Sequence, residues 1–429
     1  MSSFQDLVRA MHHWPLLDLG LWGLVLFLAF RFAHLNVEAA TRPARSFVSC
    51  YTAARLVHNG VAVSRFYDDG WFGDQVQTDT PGIRDVYYPN PPTTAVLLLP
   101  LASLDHRSVQ LIWTFFNLVC LIGAGALLLR QTGIQGVWLP GCIAFALSYQ
   151  PLSANLSQGR VYVFLFGLLV AAFYAYRHQR PVMLGAALGL MLSLKLAGVL
   201  LWLLLLVQRR WRAFGWSVGF ALVFSLGALP WVGLEAWQTY LPRLPASSAD
   251  PGLTVTAYQT QFGFFRHLFT FDPSWNPAPL LPWPGLGIWS PWLGFAVVCG
   301  ANAYWASLSE GTDLPFASFV AAGVILNPWS LDYHYVLLLV PLTVLTAWVQ
   351  RQTVLWPRIV LGVAAALIAA DLPYRSPRLA TSAWVLLAYP KLYGAWLLWG
   401  LALWACLQQE PGLQRSVWLR YAMAARKHV

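Results

Sequence analysis

The run of residues from 182 to 207 constrains the fold of this chain more than any other stretch. It is apolar throughout except for Lys195 near its middle, and clusters of cations flank it at 177–180 and at 209–212. Short loops rich in arginine and lysine stay on the cytoplasmic side of a membrane. One straight helix would put the two clusters on opposite sides. We therefore predict two short helices that turn back at Lys195 and place this residue toward the outer side.

Each arm of this hairpin would be only about 20 Å long, which is less than the hydrocarbon thickness of a bilayer. Short helices of this kind are tolerated where they line a cavity instead of lipid. A lysine in the middle of an apolar run is costly in a membrane and usually marks a functional site. Snorkelling of the side chain to the interface is the alternative for Lys195, and we favour function.

The composition of the chain is that of a polytopic membrane protein. Of its 429 residues 58% are hydrophobic and 10% are charged, whereas soluble proteins carry about 25% charged residues. The net charge of +10 lies at helix ends and forms no basic stripe, so we expect no nucleic-acid partner. The five cysteines show no metal-ligand spacing and suggest neither a metal site nor a disulfide framework.

Hydropathy and segment length predict an all-α bundle of about twelve spans in a single membrane domain covering residues 1–429. The predicted spans are about 16–32, 108–129, 137–152, 161–177, the two arms of 182–207, 213–233, 291–308, 314–327, 335–350, 354–370 and 384–407. The first is expected to be an uncleaved span, since it has no cleavage site of the signal-peptide type. Residues 93–104 are apolar but too short to span, and we predict a re-entrant or interfacial segment there.

This count places both termini and the basic loops on the inner side. A first outer loop then covers 34–107 and a large outer loop covers 234–290. If 93–104 spanned the membrane, every later basic loop would lie outside, against the positive-inside rule. We therefore expect the polar motifs of the chain to share the outer face of a cell membrane.

Residues 327–335 contain a carboxylate, Asp332, and an imidazole, His334, between two apolar runs. Titratable groups at the edge of a span usually mark a site, although a plain polar loop is the simpler alternative. Arg160 and Lys195 are suited to hold a phosphate, the first as a bidentate fork and the second as a point charge.

Carboxylates in the first outer loop are candidates for a general base that deprotonates a hydroxyl. Most of them are expected to be ordinary solvated charges. They are Asp68, Asp69, Asp74, Asp79 and Asp85. The loop also contains the helix-like SFVSCYTAARLVHNG, which should end near Gly60, and the turn-rich YYPNPP. In the large outer loop, AYQTQFGFFRHLF predicts a juxtamembrane helix that either covers the site or merely packs on the membrane.

Six motifs in order resemble glycosyltransferase family 87, polytopic GT-C enzymes that use a polyprenyl-phosphate sugar, typically mannose. The first helix of the outer loop is similar to the family pattern DFxxYYxAAxxLxxG, and YYPNPPTTAVLLLPLASL is similar to YPPxxxxLLxPLxxLP. The stretch LMLSLKLAGVLLWLLLLVQRRWRA resembles LALxLKPxPLLLLLxLLLRRRWRA. NPWSLDYHYVLLLVPL resembles SPxSWDHHxVLLLPAL. The segments SQGRVYVFLFGLLV and YQTQFGFFRHLF occupy the two remaining family positions.

The resemblance also shows departures. The first-loop Asp that resembles the catalytic base of such enzymes is replaced by Ser46, whose hydroxyl is no base near neutral pH. The first His of the family's pair is Tyr333, and the Pro that follows the family's lysine is Leu196. Asp332 and His334 are retained. We therefore expect another first-loop carboxylate to act as base and favour Asp85, ahead of Asp68 or Asp69.

The resemblance implies an inverting, metal-independent transfer of a sugar, typically mannose, on the non-cytoplasmic face of a membrane. The donor would be a polyprenyl-phosphate sugar, the acceptor a glycolipid, glycan or protein, and no cofactor is expected. The predicted catalytic residues are Asp85, Asp68, Asp69, His334 and Asp332. The predicted substrate contacts are Arg160, Lys195, Asn90, Gln259, Gln261, Ser46 and Tyr335.

Two other classes of function are open at the level of sequence. A protein that kept the fold but lost catalysis would bind or move a polyprenyl-phosphate lipid, and Ser46 in place of the carboxylate favours this alternative. A solute transporter ranks lowest, because neither an internal repeat nor a polar pathway on the inner face is evident.

Overall fold

The structure, a computed structural model, describes residues 15–247, 250–309 and 311–408. In these residues it consists of α-helices and short 3-10 segments, with one isolated β-bridge and no strand. The all-α prediction is therefore confirmed. The polar N-terminal residues before 15 and the basic C-terminal tail, both predicted to lie inside, fall outside the described residues.

The α-helices are numbered α1 to α18 in chain order. They are Pro15–Ala40, Arg45–His58, Asp69–Asp79, His106–Thr132, Trp138–Ser148, Gln150–Ser157, Tyr162–Arg177, Pro181–Lys195, Val199–Val207, Trp211–Val232, Leu234–Tyr240, Arg243–Ser247, Gln261–Phe269, Pro284–Leu308, Leu314–Leu326, Leu339–Gln350, Trp356–Ala369 and Pro390–Gln408. The 3-10 segments are Val63–Tyr67, Pro92–Val96, Leu99–Leu101, Pro251–Thr254, Asp332–Leu338, Pro377–Leu379 and Ser382–Leu387.

Each of the twelve predicted spans overlaps one of these helices. Within the described part of the chain, five helical segments are both long and apolar enough to cross a membrane, and one of them joins the 3-10 segment Asp332–Leu338 to α16. The number of crossings remains a prediction. The predicted span 137–152 is interrupted at Tyr149, between α5 and α6. The last predicted span starts too early, at 384, because Ser382–Leu387 is a 3-10 segment and α18 begins at Pro390. Proline fits the first turn of a helix, where its missing N–H costs nothing.

The predicted break at Lys195 is confirmed. Helix α8 ends at this residue, Leu196 takes the left-handed conformation with φ 50°, and α9 begins after Gly198 with φ 78°. Two left-handed residues within three positions cannot continue a right-handed helix, so the chain must turn here.

Helices α8 and α10 run parallel and pack very closely. A Cβ on Gly185 would lie 2.4 Å from the Cβ of Trp216, and one on Gly189 would lie 2.8 Å from the backbone nitrogen of Ala221. The two glycines follow each other on α8 in the same order as their partners on α10. Because α8 and α10 share a direction, the intervening α9 must carry the chain back to its starting side.

This return brings the two cation clusters together at one end of the bundle. Arg210 donates a hydrogen bond from Nη1 to the backbone oxygen of Tyr176 at 2.9 Å, and its guanidinium lies 4.0 Å from the centre of that ring. The Tyr176 hydroxyl donates to Oε1 of Gln208 at 2.9 Å. Lys195 lies at the opposite end of α8, as the hairpin prediction requires.

Residues 93–104 form no spanning helix. They contain the short 3-10 segments Pro92–Val96 and Leu99–Leu101, and most of the first segment is buried. The Thr93 and Thr94 hydroxyls donate to the backbone oxygens of Ser193 and Leu194, at 2.6 Å for the second pair. The last carbonyls of a helix have no partner within it, so the irregular segment satisfies the end of α8.

The first outer loop builds a small hydrophobic core of its own. Helix α2 ends as predicted, with Gly60 left-handed at φ 76°. Phe66, Tyr67 and Phe72 pack around Tyr87, and Tyr67 also contacts Tyr240 of α11. This core fixes the loop on top of the membrane helices and gives α2 a defined position.

The contact between α8 and α10 gives a first testable prediction. Gly189→Ala should lower the free energy of unfolding by about 1–3 kcal/mol, the usual cost of overpacking, because the new methyl group meets backbone atoms that cannot rotate away. The measurement is thermal unfolding of the purified protein in detergent.

Gly219→Ala is the matched control, since it lies on α10 and has no heavy atom within 4 Å of the added Cβ. It should be neutral or stabilising, because alanine favours a helix over glycine by about 1 kcal/mol. Equal stability of the two variants would contradict the close packing.

Candidate active site

A cavity of about 1270 Å³ lies where the outer loops meet the membrane helices. We call it the main cavity. Its polar part is lined by groups from the first loop, the turn after α6, the end of α8 and residues 327–334. The predicted site residues that line it are Ser46, Asp69, Asp85, Asn90, Arg160, Lys195, Asp332 and His334. Residues far apart in sequence are thus brought to one place.

The turn after α6 is fixed against α2 by a glycine. The backbone N–H of Phe47 donates to the oxygen of Gln158 at 3.1 Å, and Gly159 has φ 61°. A Cβ on Gly159 would lie 2.6 Å from the Cβ of Phe47. The backbone N–H of Arg160 donates to the backbone oxygen of Asn155 at 2.9 Å. Only glycine permits this approach, and the approach aims the next residue, Arg160, at the cavity.

The Arg160 guanidinium lies flat on an aromatic ring. Its Cζ is 3.5 Å from the centre of the Tyr333 ring, and Nε and Nη2 both donate to Oε1 of Gln158, at 3.0 and 2.5 Å. Stacking and a bidentate hydrogen bond hold the planar group in one orientation.

Lys195 enters the main cavity from the end of α8. Its ammonium group donates to Oδ1 of Asn90, whose backbone oxygen accepts from the Tyr67 hydroxyl at 2.9 Å. A cation at a helix C-terminus also interacts favourably with the helix dipole. The lysine is therefore a fixed cation and does not snorkel to a lipid interface.

His334 is enclosed by two aromatic rings, with 4.3 Å between its ring centre and that of Tyr333 and 4.4 Å to that of Tyr162. Its Nδ1 accepts from the backbone N–H of Leu331 at 3.0 Å. A neutral imidazole whose Nδ1 accepts carries its proton on Nε2. The Nζ of Lys195 lies 5.9 Å from the centre of the Tyr162 ring, so this ring faces both the histidine and the lysine.

Asp85 lies against the helix face that carries Ser46. The Ser49 hydroxyl donates to Oδ2 of Asp85 at 2.5 Å, and Nε of Arg45 is 4.0 Å from Oδ1. Ser46 and Ser49 are three residues apart on α2 and therefore share a face. The Asp85 carboxylate is about one-quarter exposed. It thus lies within one helical turn of the position where the family pattern has its aspartate.

The two neighbouring aspartates of the first loop differ in position. Asp69 lines the main cavity, and partial burial raises the pKa of its carboxyl, although the Arg243 cation opposes this shift. Asp68 does not line the cavity, because its Oδ1 accepts from the N–H of Trp71 at 3.1 Å and caps α3. The structure thus keeps Asp85 and Asp69 as candidate bases and gives Asp68 a capping role.

Asp332 is held in a network of hydrogen bonds. Its Oδ2 accepts from Nη2 of Arg375 at 2.8 Å and from the Tyr374 hydroxyl at 3.4 Å. Its Oδ1 accepts from the backbone N–H of Tyr333 at 2.8 Å. A carboxylate with these partners is suited to position the His334 loop.

Three predicted substrate contacts are not brought to the main cavity. Gln259 is fully buried and bonds through its amide to backbone atoms of Thr256, Ala388 and Lys391. Gln261 donates to the oxygen of Pro291 at 2.9 Å. The Tyr335 hydroxyl donates to the oxygen of Gln259 at 2.6 Å. Their polar groups are used inside the protein. The helix predicted in AYQTQFGFFRHLF forms as α13, but it packs against α14 and does not cover the site.

The remainder of the main cavity is apolar. It extends between α9, α14 and α15, with Leu200, Phe295, Phe319 and Val324 among its lining residues. Met191 of α8 also contributes. The main cavity therefore has two parts, as an amphiphilic ligand would need. We call the polar part around Arg160 and Lys195 the cationic head and the apolar part between α9, α14 and α15 the apolar branch.

Sequence reasoning missed several residues of the polar part. Arg45, Ser49, Tyr162 and Arg375 all line the main cavity. The spacing of Ser46 and Ser49 on one helix face was a usable signal. The role of Arg375 could not be inferred from the sequence, because its partner Asp332 is 43 residues away.

The model of glycosyltransferase family 87 matches residues 88–331, which are more than half of the chain. The chain belongs to glycosyltransferase family 87. The match begins at Tyr88, three residues after Asp85, and includes Asn90, Arg160 and Lys195. This member of family 87 is therefore a membrane glycosyltransferase, and its main cavity is the candidate active site.

A curated relative is similar over much of its length. The polyprenol-phosphate-mannose-dependent alpha-(1-2)-phosphatidylinositol mannoside mannosyltransferase of Mycobacterium tuberculosis (strain ATCC 25618 / H37Rv) is 24% identical over 307 residues, which cover 66% of this chain and 68% of that protein. No solved structure matches the chain.

The Gly159 turn gives a second prediction. Gly159→Ala should reduce glycosyl transfer by at least tenfold, because the methyl group would push Phe47 and α2 away from the turn that aims Arg160. It also places alanine at φ 61°, which costs about 1–2 kcal/mol. The measurement is the transfer rate of folded protein, selected by size-exclusion chromatography.

Gly82→Ala is the control for backbone strain alone, since Gly82 has φ 86° but no heavy atom within 4 Å of the added Cβ. It should keep most of the activity. An equal loss in both variants would show that strain, and not the contact with Phe47, is responsible.

Proposed function

We propose that this enzyme transfers a mannose from a polyprenyl-phosphate carrier to a hydroxyl group of a glycolipid acceptor. The observation that carries the proposal is the main cavity, which joins a cationic head to an apolar branch between α9, α14 and α15. The mycobacterial relative is named for a polyprenol-phosphate-mannose donor and a phosphatidylinositol mannoside acceptor, and this name supports the choice of sugar and acceptor class.

The cationic head suits a lipid-linked phosphate. Arg160 and Lys195 line it as fixed donors, and His334 lines it with its proton on Nε2. In the transfer, the bond between the sugar C1 and the phosphate oxygen breaks, and the phosphate gains negative charge. Fixed donors aimed at developing charge lower the barrier without reorganisation. Arg160 and Lys195 supply positive charge and His334 supplies a neutral donor, so the proposed reaction requires no metal ion.

The apolar branch suits the polyprenyl chain. The branch lies between the short helix α9 and helices α14 and α15, with Met191 of α8 also in its lining. Burying apolar surface contributes about 25 cal/mol per Å². Phosphate recognition at the head would therefore be joined to binding of the lipid tail.

Asp85 is the proposed general base. It takes the proton of the acceptor hydroxyl while the acceptor oxygen bonds to C1 of the sugar, and the carrier phosphate leaves on the opposite side. A single displacement of this kind inverts the configuration at C1. Ser49 and Arg45 hold the carboxylate in place, beside Ser46, where the family pattern has aspartate.

We further propose that the reaction takes place on the outer face of a bacterial cell membrane. The cation clusters at 177–180 and 209–212 meet at the end of the bundle opposite to Lys195. Under the positive-inside rule this end is cytoplasmic. The first loop, the main cavity and residues 327–334 would then face outward.

The assignment of the base is tested by Asp85→Asn. Loss of a general base slows a reaction by about 10²–10⁴-fold, so transfer should fall by at least 100-fold. The assay uses purified protein in liposomes with radiolabelled polyprenyl-phosphate mannose and an envelope glycolipid extract.

Asp74→Asn is the matched control. Asp74 lies in the same loop, is exposed, and pairs with Arg84 at 2.9 Å, so transfer should stay near the wild-type rate. If Asp85→Asn keeps its rate within a few-fold while Asp69→Asn loses it, Asp69 is the base. If the wild type binds donor but transfers to no acceptor, a carrier-binding role replaces the proposed one.

Removal of the Lys195 charge is a separate prediction. Lys195→Met should lower kcat by about 10²–10³-fold, as does loss of one charge-stabilising donor elsewhere, and should raise the KM for the donor. Lys195→Arg keeps the cation and should recover part of the rate. An unchanged kcat in Lys195→Met would exclude this lysine from stabilising the leaving phosphate.

A further inference from the structure

A second cavity, of about 560 Å³, lies beside the main one. We call it the small cavity. It is enclosed by the end of α1, by α6 with the turn that follows it, and by the loop 371–375. Four residues line both cavities: Ser157, Gln158, Asp332 and Arg375. The two spaces therefore share one thin wall, which lies close to the His334 loop.

Beyond the end of α6, this wall is closed by side chains. Asp332 accepts from Nη2 of Arg375 at 2.8 Å and from Nε2 of Gln150 at 3.5 Å. Oε1 of Gln150 accepts from Nζ of Lys391 at 3.2 Å. The Arg375 side chain is about half exposed. A side-chain wall of this kind can open by rotation about single bonds, without movement of a helix.

The balance of formal charge differs between the two cavities. In the main cavity four cations stand against four carboxylates: Arg45, Arg160, Lys195 and Arg375 against Asp69, Asp85, Asp250 and Asp332. The small cavity has the carboxylates of Asp332 and Asp371 against the single cation Arg375, among the residues that line it. Because like charges repel and opposite charges attract, the phosphate of a carrier favours the main cavity. The small cavity favours a neutral ligand.

The polar groups of the small cavity suit a ligand rich in hydroxyl groups. It offers amides and hydroxyls from Asn36, Gln150, Ser153 and Ser157. Asn36 is 9% exposed, and its Nδ2 donates to the oxygen of Phe32 at 2.7 Å. Its Oδ1 accepts from none of the residues that the structure describes. Alternating donors and acceptors are what the hydroxyls of a sugar or polyol require.

The mouth of the small cavity lies next to a lipid-facing surface. Leu35 and Leu372 stand at its rim and are 44% and 38% exposed. On the same helix as Leu35, α1, Leu26 and Phe30 are 71% and 75% exposed. Large exposed apolar side chains on a predicted span face the hydrocarbon of a bilayer. An amphiphile could therefore place its headgroup inside and its tail along α1.

We propose that the small cavity is the acceptor subsite and binds the neutral, hydroxyl-rich headgroup of a membrane amphiphile. The acceptor hydroxyl then reaches the main cavity through the wall formed by Gln158, Asp332 and Arg375, while the donor enters from the side of α9. This inference rests on the proposed glycosyl transfer, but the location of the subsite can be measured without it.

The test uses octyl α-mannoside with a diazirine in its alkyl chain as a photoaffinity probe. Cross-links mapped by mass spectrometry on the full chain should fall in α1, 150–158 and 371–375. Ala154→Phe fills the small cavity from α6 and should reduce this labelling at least tenfold. Val37→Phe on α1 is the control, since Val37 is 67% exposed and does not line the cavity. Ser153→Phe replaces Ala154→Phe if the latter does not fold.

Kinetics provide the second readout. With octyl α-mannoside as acceptor, Ala154→Phe should raise the acceptor KM at least tenfold and leave the donor KM unchanged. Labelling outside the small cavity, or labelling that Ala154→Phe does not reduce, overturns the subsite. Labelling at the predicted place without transfer by the wild type overturns the proposed reaction alone. Transfer with labelling elsewhere overturns this inference alone.

Discussion

The hydrogen bonds from the hydroxyls of Thr93 and Thr94 to the last carbonyls of α8 support much of the architecture. They let an apolar helix end inside the protein, where its free carbonyls would otherwise be costly. Once α8 ends there, α9 returns, α10 runs parallel to α8, and the basic loops come together. The same termination places Lys195 beside Asn90. The capped end of α8 thus determines the order of helices α8 to α10 and places Lys195 in the site.

The proposed general base, Asp85, comes from a different segment of the chain than the family resemblance implies. The family pattern places an aspartate at the start of the first outer helix, where this chain has Ser46. Asp85 reaches the same helix face from the YYPNPP side and is held by Ser49 at 2.5 Å. Its position is therefore set by the small outer core around Tyr87 and not by α2 alone. The Asp85 carboxylate and the cationic head thus line the same cavity.

The sequence was sufficient for the features that depend on periodicity and charge, including the hairpin at Lys195, the end of α2 at Gly60 and the non-spanning segment 93–104. Contacts that depend on tertiary packing were beyond it. Gln259, Gln261 and Tyr335 have polar groups that suit a ligand, but packing uses them to bond the protein's own backbone. Asp68 is an N-cap, a role that its position before α3 already permitted. Arg375 and the small cavity became evident only when distant segments met.

Gln158 connects the two cavities. Its carboxamide oxygen accepts both hydrogen bonds from the Arg160 side chain, and the same residue lines the small cavity. A molecule there that competes for this oxygen changes the freedom of the guanidinium on the far side. The binding free energies of the two cavities are then coupled, and such coupling is equal in both directions. Through the shared amide of Gln158, a ligand bound in one cavity thereby changes the affinity of the other cavity for its own ligand.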